Sequence, residues 1–137
     1  MHTTVVEIVT GRRPAVVDLG REVDAFVSEA ARGLDGLLHV FVPHATAGVA
    51  VIETGAGSDA DLLAALDRLL PADQRWVHRH GSPGHGRDHV LPGLVAPFVV
   101  VPVLGGRVAL GTWQSLCLVD TNVDNPVRQV RLSFLPG

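Results

Sequence analysis

Apolar and polar positions follow two rhythms along this chain of 137 residues. Thr3 to Val9 and Ala15 to Leu19, rich in Val and Thr, read as short strands separated by a hairpin-like break at Gly11-Arg12-Arg13-Pro14. From Arg21 to Leu34 the apolar residues Val23, Phe26, Val27, Ala30, Ala31 and Leu34 recur at helical spacing, and Gly33 or Gly36 offers a stop. Leu37 to His44 and Ala47 to Ile52 are apolar segments joined by Ala45-Thr46, a pattern that suggests adjacent central strands. A second helix opens at Ser58 and Asp61, carries Leu62, Leu63, Leu66, Leu69 and Leu70 along one face, and stops at Pro71. Residues 72 to 93 are polar and carry Gly and Pro, and a loop of about twenty residues in a compact domain is usually functional. Beyond it, Val95 to Val103 and Arg107 to Leu110 flank Gly105-Gly106, which suits a tight hairpin, and Thr112 to Val119 and Val127 to Leu135 complete an all-strand C-terminal half.

Helices mixed with largely antiparallel strands predict an α+β sandwich with two main helices. With no domain-separating linker, residues 1–137 are expected to form a single domain. An apolar fraction of 47% and a mean hydropathy of +0.30 exceed what so small a core needs, and subunit contacts would account for the excess. No apolar run approaches the roughly 20 residues that span a bilayer, so no membrane is expected. A net charge of −3, 4% aromatic residues and no Tyr argue against nucleic acid as a partner. Cys117, the only cysteine, sits in an apolar run and reads as a strand-buried thiol. No secretory signal is visible at the start, and a cytoplasmic location is expected.

The candidate chemistry lies in histidine. Four of the seven, His78, His80, His85 and His89, fall within twelve residues, and His44 closes the Leu37 to His44 row. Imidazole transfers protons near neutral pH and binds transition metals. In extended backbone His78 and His80 share a face and can chelate, whereas His85 and His89 meet only in a helical segment, which Gly84 and Gly86 disfavour. His44 also reads as a buried, hydrogen-bonded imidazole ending a core-facing row. Imidazoles with one carboxylate suit zinc, and magnesium would need mostly oxygen ligands.

The run His44-Ala45-Thr46-Ala47-Gly48-Val49 followed by Glu53, Asp61 opening the second helix, His78 and His89 eleven residues apart, Leu110-Gly111-Thr112-Trp113-Gln114, and Arg128 near the end together resemble the YjbQ-like family over nearly the whole chain. The resemblance implies a two-layer α+β fold and a homotrimer with a polar site where subunits meet. It further implies His44, His78 and His89 as metal ligands or acid/base groups that converge in the assembled oligomer, and Glu53 and Asp61 as paired acids. Thr46 and Gln114 would orient substrate, and Arg128 would bind an anion. His80 has no counterpart in the family, and His85 stands where Asn or Asp is usual, so neither is expected to be a ligand. Three departures bear on the carry-over: Ile52 replaces the usual Asn before Glu53, Ala45 replaces a Thr, and Asn125-Pro126-Val127-Arg128 replaces a Gly-Pro-Arg-like run.

Three functions follow as expectations. The first is an enzyme acting on a small phosphorylated compound, with the secondary thiamine-phosphate synthase activity ascribed to family members. That reaction joins a pyrimidine-methyl diphosphate to a thiazole phosphate. The cofactor expected is a divalent metal, zinc first and magnesium if a diphosphate is the substrate. The second is a metal- or anion-binding homotrimer without turnover, and the third is a metal-assisted hydrolase.

Overall fold

The computed structural model describes residues 1–137. Its elements in chain order are β1 (His2–Val9), β2 (Ala15–Asp18), α1 (Gly20–Ala31), β3 (Gly36–Phe41), β4 (Ala47–Ile52), α2 (Ser58–Leu69), α3 (Leu91–Leu94), β5 (Phe98–Leu104), β6 (Arg107–Val108), β7 (Ser115–Asp120) and β8 (Val127–Pro136), with one 3₁₀ turn at His85–His89 before α3. The strands form two sheets, a five-stranded one ordered β1-β8-β3-β5-β6 and a three-stranded one ordered β2-β7-β4. Every pairing is antiparallel, so the α+β reading holds. No helix is long and apolar enough to cross a membrane.

The main core lies between the sheets and is closed by α1. Alternation along the strands selects its members: Leu38 and Val40 of β3, Val101 and Val103 of β5, Val130, Leu132 and Phe134 of β8, and Leu116 and Leu118 of β7 all face it. The opposite face of β7 carries Val119, which joins Leu66, Leu70 and Leu91 in a second cluster beneath α2 and α3. Cys117 is buried on that strand, as expected, and desolvation pushes its thiol up to about 11. α1 ends where Arg32 adopts the left-handed conformation (φ 50°), two residues short of Leu34.

Two sequence expectations about pairing change. The break at Gly11 to Pro14 does not make a hairpin, because β1 pairs with β8 and β2 with β7. β3 and β4 are likewise not neighbours: β3 lies between β5 and β8, and β4 pairs with β7 in the other sheet. In both cases the short connection carries the chain from one layer to the other, which local apolar pattern does not report. The hairpin at Gly105-Gly106 is present, joining β5 to β6 with both glycines at positive φ.

Candidate metal centre

The segment after α2 is folded by tethers at several points. The Trp76 indole N–H donates to the Pro71 carbonyl (2.8 Å), and the ring packs against the cluster of Leu66, Leu70, Leu91 and Val119. Arg87 donates from one guanidinium nitrogen to Asp67 (2.7 Å) and to the Leu70 carbonyl (3.1 Å), which holds the 3₁₀ turn to the end of α2. Gly84 enters that turn at φ 79°, where a Cβ would meet the Ala72 backbone at 2.6 Å. The glycines expected to oppose helical geometry thus permit it: Gly84 supplies the left-handed entry, and Gly86 lets the turn approach the Trp76–His78 segment.

That turn gathers the histidines. Ring centroids of His78, His80, His85 and His89 lie within 5.8 Å of one another in all six pairings, the closest being His78–His80 at 4.0 Å and His78–His89 at 4.1 Å. One ring nitrogen each from His78, His80 and His85 lies within 4.8 Å of the others. The Nε2 atoms of His85 and His89 are 2.9 Å apart. Four rings packed this closely favour neutrality. His78 and His89 sit below the usual imidazole pKa through desolvation first and the neighbouring imidazoles second. Neutral rings present lone pairs, the form in which imidazole binds a cation. His78, His80 and His85 border a cleft of about 210 Å³ that Arg79 and Ser82 also line.

Behind His85, which is 7% exposed, lies a buried polar platform. Asn122 Oδ1 accepts the backbone N–H groups of Asp124 (2.8 Å) and Asn125 (3.0 Å), so its amide nitrogen faces His85 and Asp88. Asp124 Oδ2 lies 3.0 Å from His85 Nδ1 and accepts the Ser82 N–H and hydroxyl at 3.2 Å each. Asp88, 3% exposed, accepts the Thr121 hydroxyl at 2.6 Å; burial raises its pKa, while Thr121, Arg87 and His85 pull it down.

The residues carried over by resemblance divide. His78 and His89 converge. His44 does not join them within the chain: its Nε2 accepts the Gln129 backbone N–H (2.9 Å), and its ring packs against none of the four. β3 stops at Phe41, so the Leu38–Val42 row does not carry His44 into the core. Arg128, expected to bind an anion, is 1% exposed and closed upon Asp120 (2.7 and 3.0 Å) and the Thr46 hydroxyl (2.9 Å). It shares the core face of β8 with Val130, Leu132 and Phe134, and a buried guanidinium there needs a carboxylate. Thr46 is thereby a structural partner. Gln114 accepts the Gly111 N–H (2.8 Å) and shapes its own turn. Glu53 lies just beyond the end of β4, where Ile52 pairs with Ser115; the histidine platform adjoins the other end, where Ala47 pairs with Asp120. Five residues of strand span about 17 Å, so Glu53 does not reach the histidines of its own chain. Asp61 is exposed in the first turn of α2, at the opposite end from Asp67.

Sequence reasoning weighed His80 and His85 and set them aside on the family pattern, and it passed over Asp88, Asn122 and Asp124. The available signal was the polar run Asp120-Thr121-Asn122-Val123-Asp124-Asn125 directly after a buried strand, whose side chains had to bond to something.

Residues 4–137 match the family described as UPF0047 protein YjbQ-like. The chain is 61% identical to UPF0047 protein Rv2556c of Mycobacterium tuberculosis over 137 residues, 100% of both. It is 34% identical to UPF0047 protein YugU of Bacillus subtilis over 115 residues, covering 80% of this chain and 82% of YugU. The crystal structure of hypothetical protein APE1520 from Aeropyrum pernix K1 superimposes with a TM-score of 0.89 at 33% identity, covering 100% of both chains.

Proposed function

The chain belongs to the UPF0047 YjbQ-like family, and from that premise we propose that it is a metal-dependent enzyme acting on a small phosphorylated compound at the histidine cleft. The observation that carries this reading is the convergence of His78, His80 and His85 at one cleft, with the His89 ring packed behind them. The donor set is nitrogen only, which fits zinc or a neighbouring transition ion and not magnesium. Such an ion, when bound, polarises a phosphoryl oxygen or acidifies a bound water.

The chain's own groups supply the rest. A cleft of about 210 Å³ accommodates a phosphoryl group better than a whole coenzyme. Arg79, between His78 and His80, places a cation at its rim. His89, held neutral at neutral pH, can accept a proton from the attacking group and return it to the leaving oxygen. Secondary thiamine-phosphate synthesis is the finer form of this reading, and metal-assisted hydrolysis of a phosphate ester is the form that needs least space.

The test compares zinc-loaded and chelator-stripped protein on a panel of phosphomonoesters, on diphosphates, and on the pyrimidine-methyl diphosphate and thiazole phosphate pair, following release of phosphate or diphosphate. Turnover should require metal and vanish in His85→Ala. Equal turnover in stripped protein would overturn the reading.

A second reading, a metal- or anion-binding homotrimer without turnover, is favoured by the placement of Glu53, Gln114 and Arg128, none of which touches the cleft in this chain. Zinc binding without turnover on any of these compounds would select it.

A further inference from the structure

Among the histidines, the geometry singles out a set different from the one that family resemblance implies. We propose that this chain binds a first-row transition ion through His78, His80 and His85, with Asp124 as the positioning residue that aims His85. The proposal rests on the metal-dependent reading above and specifies its ligands.

Ligand number and spacing support this set. In a tetrahedral zinc site with bonds of about 2.0 to 2.1 Å, donor nitrogens stand about 3.4 Å apart. One nitrogen each of His78, His80 and His85 already lies within 4.8 Å of the others, a gap that small χ rotations close. His80 is exposed and carries no hydrogen bond that ligation would break. Three protein ligands leave the fourth position open, as a reacting site requires. His89, whose Nε2 is 2.9 Å from that of His85, lies outside the three and stays free of the ion as a proton-transfer group.

His85 is aimed from behind. Its Nδ1 faces the Asp124 carboxylate at 3.0 Å, and Asp124 is itself held by two donors from Ser82. The carboxylate retains the proton on Nδ1, so the lone pair belongs to Nε2, which points toward the other rings. Asn122, pinned by two backbone donors, brings its amide nitrogen to 3.0 Å from the same Nδ1 and to 3.4 Å from Asp88 Oδ2, so it competes for Nδ1 as a donor; the Asp124 carboxylate at 3.0 Å and the Asp88 carboxylate at 3.4 Å both favour the proton on Nδ1. Gly81 permits the approach: a Cβ there would stand 2.9 Å from the His85 ring and 3.0 Å from Asp124.

The experiment is a zinc titration of the full chain against a chromophoric chelator, repeated for His80→Ala, His85→Ala, His44→Ala, Asp124→Ala and Asp124→Glu. Asp124 and His80 are solvent-accessible, so these variants keep the fold even if His85→Ala does not. Asp124→Ala should weaken zinc about 10- to 100-fold, with Asp124→Glu restoring part of the loss. His80→Ala should weaken it further still, His44→Ala should bind as the parent does, and millimolar magnesium should not compete. Nitrogen NMR of the zinc-free protein should show the Nδ1–H tautomer at His85, lost in Asp124→Ala. Tight zinc binding that survives His80→Ala and Asp124→Ala but fails in His44→Ala would overturn this ligand set and leave the metal-dependent reading standing. An absence of zinc binding by the parent protein would overturn both.

Discussion

Arg128 is the residue on which the junction of the two sheets turns. Its guanidinium is surrounded by core side chains and balanced by Asp120, which is 0% exposed, and the pair also engages Thr46 and the Asn122 N–H. Removing one member leaves a buried charge without its partner, which costs about 3 to 5 kcal/mol. Arg128→Met should therefore lower unfolding free energy by about that amount in urea titration, although the substitution preserves apolar volume. A loss below about 1 kcal/mol would show that the buried Asp120 carboxylate finds other partners when Arg128 is gone. His44, close by, tests the same electrostatics through pH. Desolvation lowers its pKa, the Arg128 charge lowers it further, and Asp120 opposes them. The folded chain thus refuses a proton that the unfolded chain accepts, so this contribution is complete above the ordinary imidazole value of about 6.5 and is lost as pH falls through the lower folded value. His78 and His89 act in the same direction. His44→Gln, whose amide oxygen can accept the Gln129 N–H, should flatten part of the fall in melting temperature between about pH 7 and pH 5.

The 3₁₀ turn at His85–His89 is the element that makes the site, and its position depends on close backbone approach. At Gly86 a Cβ would meet Trp76 and would stand 2.6 Å from the His78 carbonyl oxygen. Gly86→Ala must push the turn away from the His78 segment, separating His85 from His78 and His80. The expected result is a destabilisation of about 1 to 3 kcal/mol, as for other overpacked sites, together with weaker zinc binding. Thermal denaturation measured with and without zinc separates the two effects, because a ligand that binds only the folded form raises its stability in proportion to its affinity. A zinc-induced rise in melting temperature as large as the parent's would show that the turn does not set the ring spacing.

At the scale of the molecule, the outer face of the five-stranded sheet is apolar across β3 and β5, while Glu7, Gln129 and Arg131 lie on its β1–β8 side. Leu37 (47% exposed), Phe98 (52%), Val100 (48%) and Leu104 (58%) lie on it, with His39 stacked near Phe41 and Phe98. A contiguous apolar sheet face is unusual for a protein that remains alone in water. It accords with the excess hydropathy and with the subunit contacts that excess predicts. Val100→Glu should shift the sedimenting mass toward the single chain without unfolding it, since Val100 points away from the core. An unchanged mass would place subunit contacts on another face.

Amphipathic periodicity by itself determined several elements: the two long helices and the Gly105-Gly106 hairpin emerge with little change because each is decided by contacts close along the chain, and the β4 strand because its apolar run is continuous. Arg128 falls on the core face of β8 with Val130, Leu132 and Phe134, and its ion pair with Asp120 depends on the fold bringing β7 and β8 together. Sheet membership was not legible. A short link between two apolar runs reads the same whether the second strand pairs with the first, as β5 does with β6, or crosses to the other layer, as after β1 and β3. The histidine site was legible only as a cluster of letters. Which of those rings meet depends on a turn that two glycines allow and on a polar platform built some forty residues further along the chain, contacts whose energies arise only when distant segments share one low-dielectric space.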